Sequence, residues 1–139
     1  MIVEISIGAR PINPLQPLPK SLAGLVGAKV EFTGLVRGDE NGLPIGGLEY
    51  EAYQPMAEQT MRKIIDELGQ KHPCLFVRVN HQIGTVPVGE PAIAVVACSP
   101  HRAAALGMVN DFMDRLKQEV PIWKIRALDT GGHPLPPTP

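Results

Sequence analysis

The sequence predicts an α+β fold in which helices form a layer over a mixed β-sheet. The chain has 139 residues, of which 44% are hydrophobic and 19% are charged, so it has the size of one domain and enough apolar residues for a sizeable core. Its periodic segments follow the order strand, strand, strand, helix, strand, strand, helix, strand. We therefore expect one domain over residues 1–130 and a proline-rich, flexible tail over residues 131–139.

The first part of the chain is rich in strand patterns. Residues 2–7 alternate apolar and polar side chains, which is the period of a half-buried strand. A short helix is predicted at residues 18–26 and a strand, interrupted by Gly34, at residues 29–36. The glycine-rich and acidic residues 38–42 predict a turn-rich loop.

The middle of the chain contains the first long helix. A strand is predicted at residues 48–53, where apolar and acidic side chains alternate. Apolar residues then recur at helical spacing from Pro55 to a stop at Gly69. Residues 74–81 are rich in β-branched side chains and predict a strand, and residues 84–89 predict a loop.

The last part of the chain predicts a strand, a helix and a strand. Residues 92–98 are continuously apolar, which is typical of a central strand. The pair Ser99-Pro100 predicts the start of the second helix, because serine caps free amide groups and proline suits the following position. Pro121 ends that helix, and residues 122–128 predict the last strand.

Composition excludes several classes of protein. The net charge of -1 argues against a general nucleic-acid binder, which carries a basic excess. The longest apolar stretch, residues 92–98, is far shorter than the ~20 residues that span a bilayer. The first residues do not have the layout of a secretion signal, so we expect a cytoplasmic protein. Cys74 and Cys98 lie in apolar surroundings and are interpreted as reduced structural thiols, the alternatives being a disulfide or a nucleophile.

An imidazole and a guanidinium stand in the first turn of the second predicted helix, at His101 and Arg102. A helix N-terminus presents free N–H groups and a partial positive charge, so it favours an anion. Because an arginine is unfavourable there, a bound anion would compensate for it. The alternative is that Arg102 pairs with a surface carboxylate.

Two lysines flank the helix break at Pro121, namely Lys117 and Lys124. Because proline turns the chain, the two ammonium groups can converge from a helix end and the next strand. An ammonium group held near another cation loses its proton more readily, which makes it a better proton acceptor or nucleophile. Strand alternation would place Arg126 on the same face as Lys124. The alternative is a helix-terminal lysine that interacts with the dipole and a solvated strand lysine.

Arg37 follows a predicted strand and precedes the turn-rich loop, a position where binding groups are common. The four histidines show no metal-ligand spacing and no carboxylate cluster completes a metal site. The sequence contains no GxSxG, GxxxxGK or GxGxxG motif, so a nucleotide-binding loop is not expected.

A series of short motifs runs in order from about Val30 to Lys124. The segments are Phe32-Thr33-Gly34-Leu35-Val36-Arg37, Leu48-Glu49-Tyr50-Glu51-Ala52-Tyr53, Met56-Ala57-Glu58, His81-Gln82-Ile83-Gly84, Val88-Gly89-Glu90, Ser99-Pro100-His101-Arg102 and Pro121-Ile122-Trp123-Lys124. Read in this order, these motifs resemble the large, catalytic subunit of molybdopterin synthase.

The resemblance implies an α/β hammerhead-like fold and a homodimer that binds a small ubiquitin-like subunit at each end, which makes a heterotetramer. The C-terminal Gly-Gly tail of the small subunit carries a thiocarboxylate and enters the large subunit's pocket. Two sulfur atoms are transferred in turn to cyclic pyranopterin monophosphate, which gives the dithiolene of molybdopterin in molybdenum cofactor biosynthesis. No metal or other cofactor is implied for this step.

The resemblance also implies roles for the candidate residues. Lys117 and Lys124 correspond to the catalytic pair, with Lys117 handling protons and Lys124 holding the thiocarboxylate. Arg37, His101 and Arg102 correspond to residues that bind the pterin phosphate. Two anionic reactants suit such a cationic pocket, because charge-assisted hydrogen bonds are strong where water is excluded.

The chain departs from the family pattern in several places. Gln82 replaces an arginine, Leu35 replaces a basic residue, and Arg126 replaces a glutamate, which adds positive charge beside Lys124. The C-terminal segment is also shorter than in relatives. These departures support an alternative interpretation, a catalytically impaired paralogue that acts as a partner-binding or anion-binding module.

Overall fold

The computed structural model describes residues 1–136, and two long helices and nine strands form its regular structure. The strands are β1 (Ile2–Gly8), β2 (Ala28–Leu35), β3 (Asp39–Glu40), β4 (Leu43–Pro44), β5 (Gly47–Ala52), β6 (Phe76–Gln82), β7 (Gly84–Pro87), β8 (Pro91–Ser99) and β9 (Ile122–Leu128). The helices are α1 (Gln54–Lys71) and α2 (Arg102–Glu119).

The main sheet has four strands in the order β1-β6-β8-β2. β1 runs parallel to β6, whereas β8 is antiparallel to both of its neighbours. The predicted mixed sheet is therefore confirmed. β8 lies inside the sheet, as its continuous apolar run predicted, because such a strand has both faces covered.

Both helices bury an apolar stripe against this sheet, which confirms the predicted α+β layers. Each buried Leu, Ile, Val, Met or Phe side chain contributes about 1.5–3 kcal/mol of hydrophobic stabilisation, and each alanine contributes less. The stripe residues are Ala57, Met61, Ile64, Ile65 and Leu68 of α1, and Ala105, Met108, Val109, Phe112 and Leu116 of α2. They pack on Val77, Val79, Val95 and Ala97 of the central strands.

A second, three-stranded sheet has the order β7-β5-β9, and β3 and β4 form a separate hairpin. Two departures from the sequence prediction lie in this part of the fold. Residues 38–42 and 84–89 were expected to be loops, and both contain strand residues. The hairpin turns at Asn41 and Gly42, whose φ angles are 52° and 80°, as a tight hairpin turn requires. β7 forms by pairing with β5. Because β5 lies far away in sequence, the local pattern of residues 84–89 did not predict this strand.

Two predicted helix starts also differ from the structure. The short helix predicted at residues 18–26 is a single 3-10 turn at Lys20–Leu22. Ser99 does not cap α2 directly, since it is the last residue of β8 and pairs with Ala28. Its hydroxyl instead accepts a hydrogen bond from the Ala105 amide at 3.1 Å, and the helix begins at Arg102.

The predicted flexible tail is only partly described. Residues 131–136 turn back on β9, where the Leu135 amide donates to the Ala127 carbonyl oxygen at 2.9 Å. Asp129 stabilises this turn by accepting hydrogen bonds from the Gly131 and His133 amides, each at 2.9 Å. Residues 137–139 lie outside the described part of the chain.

Both cysteines are buried and free, in agreement with structural thiols. Burial raises the pKa of Cys74 to about 11, so its thiolate is scarce at neutral pH. Among residues 1–136, no helix is long and apolar enough to cross a membrane.

The end of α1 is tied to α2 through a carboxylate. The Asp111 carboxylate lies 2.7 Å from the Nε2 atom of His72 and 3.8 Å from the Lys71 ammonium. The hydrogen bond from His72 holds the pKa of Asp111 below its ordinary value. A carboxyl group with a lowered pKa in the folded state stabilises the fold above its unfolded-state pKa, and the stabilisation is lost as the pH falls.

We predict that Asp111→Asn flattens the acid dependence of folding. The free energy of unfolding of the wild type should fall as the pH drops below the ordinary aspartate pKa of about 3.9, and the variant should lose part of that slope. Urea unfolding at several pH values between pH 6 and pH 3 measures the pH dependence of this free energy. Asp114→Asn is the control, because Asp114 is exposed on the same helix without an ion pair to residues 1–136. Equal slopes for wild type and Asp111→Asn would contradict the prediction.

Candidate active site

Lys117 and Lys124 line one cavity of about 310 Å³. Lys117 lies in the last turn of α2 and Lys124 is the third residue of β9. The helix ends because Pro121 cannot continue it, and the chain reverses into the adjoining strand. The residues between the lysines therefore form a corner instead of a helical turn, and both lysines line the same cavity.

The walls of this lysine cavity are mostly apolar. They include Phe32 of β2, Ile93 of β8, Met113 of α2 and Trp123 of β9. Apolar walls lower the local dielectric constant, which strengthens each electrostatic interaction with a bound ligand. The cavity is therefore suited to hold an organic anion of which one part is flat and apolar.

The two lysines have different electrostatic surroundings. The Lys124 ammonium forms an ion pair with the Glu40 carboxylate of the β3–β4 hairpin. Lys117 has no carboxylate within ion-pair distance among residues 1–136. In the structure the cavity therefore contains one uncompensated ammonium and one that a protein carboxylate already neutralises.

Arg126 also has a carboxylate partner, since its Nε atom lies 3.0 Å from Glu49 on β5. The register between β5 and β9 shifts at this point. Glu49 pairs with Arg126 and the next residue, Tyr50, pairs with Lys124. Ile125 is thus the extra residue of a β-bulge, which interrupts strand alternation. Simple alternation, on which the expectation of a common face for Lys124 and Arg126 was based, therefore does not hold here, although both residues line one groove.

A groove of about 590 Å³ adjoins the lysine cavity. Its walls are the β3–β4 hairpin, β9 and residues 134–136. Lys124 lines both the cavity and this hairpin groove, and Arg126 lines the groove alone. Leu43 and Ile125 give the groove an exposed apolar floor. An extended peptide in the groove would therefore reach the cavity at the Lys124 ammonium.

Arg37 lies near the cavity without lining it. It follows β2 by two residues and is exposed. The cavity contains Gly34 and Leu35 at that end of β2, so Arg37 stands at the same end of the main sheet as both lysines.

His101 and Arg102 lie at the other end of the main sheet. In the β2–β8 pair, Leu35 faces Pro91 and Ala28 faces Ser99, so the residues after Ser99 are a full strand away from the cavity. The 15 residues from Arg102 to Lys117 span about 22 Å of α2 at 1.5 Å per residue. Within one chain, the structure does not bring His101 and Arg102 to the lysines.

Two further side chains of the lysine cavity, Tyr50 and His81, were not among the predicted site residues. Their rings meet edge to face with centroids 5.5 Å apart, at the place where the two sheets adjoin. Burial raises the pKa of the Tyr50 phenol and lowers the pKa of the His81 imidazole. Their sequence signal was weak, because Tyr50 resembles an ordinary core residue and His81 has no partner at a metal-ligand spacing.

No metal site is apparent in the structure, since residues 1–136 contain no group of three His, Cys, Asp or Glu side chains that could hold an ion. The polar groups of the lysine cavity are ammonium, imidazole and phenol groups. These groups bind anions and exchange protons.

Comparison with known proteins identifies the family of the chain. A family model described as "MoaE protein" matches residues 9–119 of the chain. The chain belongs to the MoaE protein family. The molybdopterin synthase catalytic subunit of Thermoplasma volcanium is 36% identical over 128 residues, which cover 92% of this chain and 93% of that relative. The solved structure of molybdopterin synthase from Staphylococcus aureus has a TM-score of 0.78 and 35% identity, and covers 88% of this chain and 89% of the solved one.

The molybdopterin synthase catalytic subunit of Homo sapiens is 45% identical over 103 residues, or 74% of this chain and 55% of the human protein. The chain spans about half the length of the mammalian relatives that it matches. The archaeal and staphylococcal proteins, by contrast, match this chain over most of its length and most of their own.

The structure places the three departures from the MoaE family pattern at or near the site. Leu35 is part of the cavity wall. Gln82 is buried, and its backbone oxygen lies 2.9 Å from the Nδ1 atom of His81. The positive charge of Arg126 is offset by Glu49. The added arginine therefore does not place an unpaired cation beside Lys124.

We predict that Glu40→Gln strengthens the binding of carboxylate ligands at Lys124. An exposed ion pair is worth about 0.2–1 kcal/mol, so affinity for a peptide that ends in Gly-Gly should rise by up to about fivefold. Titration calorimetry with that peptide measures the change. Asp39→Asn is the matched control, because it removes the same charge from the neighbouring residue of the hairpin. Identical affinities for Glu40→Gln and the control would show that Glu40 does not compete for Lys124.

Proposed function

We propose that this MoaE-family chain is the catalytic subunit of a molybdopterin synthase. In this proposal it transfers sulfur from the thiocarboxylated C-terminus of a small ubiquitin-like subunit to cyclic pyranopterin monophosphate, and the product is the dithiolene of molybdopterin. The observation that carries the proposal is the convergence of Lys117 and Lys124 on one cavity from separate elements. The sulfur donor is the partner protein, and no cofactor takes part.

The lysine cavity suits the pterin substrate in size and chemistry. Its apolar walls, which include Trp123 and Phe32, match a flat heterocycle, and its cations match a phosphate. Lys117 is the uncompensated cation, so it is the group available for the protons that move during sulfur addition and phosphate departure. Arg37, at the same end of the sheet, is placed to contact the phosphate from outside the cavity.

The hairpin groove suits the tail of the small subunit. A Gly-Gly terminus is narrow because it has no side chains, so it can enter a space between two strands where larger residues would not fit. Its thiocarboxylate would replace Glu40 as the anion paired with Lys124. Sulfur would then stand at the junction of the groove and the cavity, which is where the pterin carbon must be attacked. Lys124 would also stabilise negative charge as water attacks the acyl carbon and the acyl–sulfur bond breaks, which leaves the sulfur on the pterin and a carboxylate on the small subunit.

The position of His101 and Arg102 supports a shared site in a homodimer. They lie about 22 Å along α2 from Lys117, which is too far for the phosphate of one pterin to contact both ends of the helix. Both side chains are exposed and form no ion pair with the described part of the chain. We propose that they bind the phosphate of a substrate held in the lysine cavity of a second copy.

We predict that Lys117→Ala abolishes dithiolene formation without unfolding the protein. Loss of a proton-transfer group lowers the rate by about 10²- to 10⁴-fold, and Lys117 makes no ion pair with residues 1–136 that folding would lose. The assay mixes the variant with a thiocarboxylated small subunit and the cyclic pterin, and circular dichroism measures folding. Lys63→Ala, which changes an exposed lysine of α1, should remain active.

A fully active Lys117→Ala enzyme would remove the proposed role of that lysine. A wild type that binds the small subunit and the pterin but forms no dithiolene would instead support the catalytically impaired paralogue.

We predict that two inactive variants complement each other if the site is shared. In a heterodimer of Lys117→Ala with His101→Ala, one site combines the intact lysine of one copy with the intact histidine of the other. About half of the wild-type activity should therefore return, since one site of two is complete. Purification through two different affinity tags isolates the heterodimer. No recovery would place His101 and Lys117 in the same chain's site, whereas a fully active His101→Ala homodimer would exclude His101 from the reaction.

A further inference from the structure

His81 is a buried residue of β6 whose imidazole adjoins the lysine cavity. Only 7% of the residue is exposed. The edge of the ring faces Tyr50 on β5, and on the strands beside it His81 pairs with Ile7 and Ile93. The titratable side chains that line the cavity with it are Tyr50, Lys117 and Lys124. No carboxylate lines the cavity to stabilise an imidazolium ion.

The hydrogen bonds of the ring fix its tautomer. The Nδ1 atom lies 2.9 Å from the backbone oxygen of Gln82. A carbonyl oxygen can only accept a hydrogen bond, so Nδ1 carries the proton and donates it. In the neutral ring the Nε2 atom then has a free lone pair. Burial lowers the pKa of His81 below its ordinary value, against the opposite effect of the hydrogen bond to the Gln82 oxygen, and this favours the neutral ring.

The Nε2 atom is the unpaired nitrogen of the ring. It makes no hydrogen bond to any residue between 1 and 136. Within the same part of the chain, no fully buried side-chain nitrogen or oxygen lacks a hydrogen-bond partner. The Nε2 atom is therefore accessible to solvent, although the residue is buried, and the space that His81 lines is the lysine cavity.

We propose that His81 is a substrate-binding residue of this site, whose Nε2 atom accepts a hydrogen bond from an N–H or O–H group of the bound pterin. This inference rests on the proposed function, because it names a contact to the substrate of that reaction. It adds an acceptor to a site whose other predicted residues are lysines, arginines and a histidine that bind anions.

The chemistry of the cavity explains why an acceptor is needed there. The lysine ammonium groups can only donate hydrogen bonds. A pterin ring carries N–H and amino donors as well as acceptors, and a donor buried without a partner weakens binding. The lone pair on Nε2 gives such a donor a partner. It also distinguishes a pterin from a simple organic phosphate, which the cations alone would bind as well.

The test compares His81→Leu with His81→Gln. Leucine fills a similar volume but has no acceptor, whereas the side-chain oxygen of glutamine can take the position of Nε2. Binding of the cyclic pterin is measured by titration calorimetry, together with the affinity for the small subunit. We expect His81→Leu to weaken pterin binding by about tenfold or more. His81→Gln should stay within a few fold of wild type, and small-subunit affinity should not change in either variant.

His72→Gln is the matched control, because His72 is a partly buried histidine that bonds to Asp111 outside the cavity. It should bind the pterin as the wild type does. Equal binding by His81→Leu and wild type would overturn the inference, and so would equally weak binding by both His81 variants, which would indicate ring packing alone. A wild type that does not bind the pterin at all would overturn the proposed function itself.

A measurement on the unmodified protein covers the case in which His81→Leu does not fold. The ¹⁵N resonance of the His81 Nε2 atom, assigned by its loss in His81→Gln, should shift when the pterin is added and not when inorganic phosphate is added. A hydrogen bond to the lone pair changes that resonance directly. An unchanged resonance in the presence of saturating pterin would overturn the inference.

Discussion

The packing of α2 along the main sheet is the constraint on which the site depends. Because α2 follows β8 directly and buries its apolar stripe against that sheet, its C-terminal end must return to the Pro91 end of β8. Pro121 then forces the chain to leave the helix. β9 starts where α2 stops, and the corner between them brings Lys117 and Lys124 to one cavity. The hydrophobic core thus determines where the charges meet.

The charge balance of the site depends on two carboxylates, one from the β3–β4 hairpin and one from the three-stranded sheet. Glu40 compensates Lys124 and Glu49 compensates Arg126, while Lys117 has no such partner in the described part of the chain. The two lysines are therefore not equivalent, although they line the same space. Because Glu40 can be exchanged for another anion, Lys124 is suited to bind a carboxylate ligand. An uncompensated ammonium at Lys117 suits one that exchanges protons with a substrate.

The same packing separates His101 and Arg102 from the lysines, although the family resemblance implied a common pocket for them. An 18-residue helix places its two ends about 27 Å apart, so His101 and Arg102 cannot join the lysines unless a second molecule is present. Close packing fixes this separation. At the start of α2, a Cβ atom on Gly27 would lie 2.1 Å from the Pro100 oxygen, so no larger residue fits between the start of β2 and the segment that leads into α2.

The sequence by itself determined the α+β class, the central position of β8 and the extent of β9, because hydrophobic periodicity and proline act locally and need no partner to be interpreted. It also identified both lysines of the cavity. The tertiary structure alone decided the pairing of Lys124 with Glu40, the bulge at Ile125 and the place of His81 beside Tyr50. These features depend on strands that are distant in sequence, and their register is set by the packing of the whole domain, which no local pattern records.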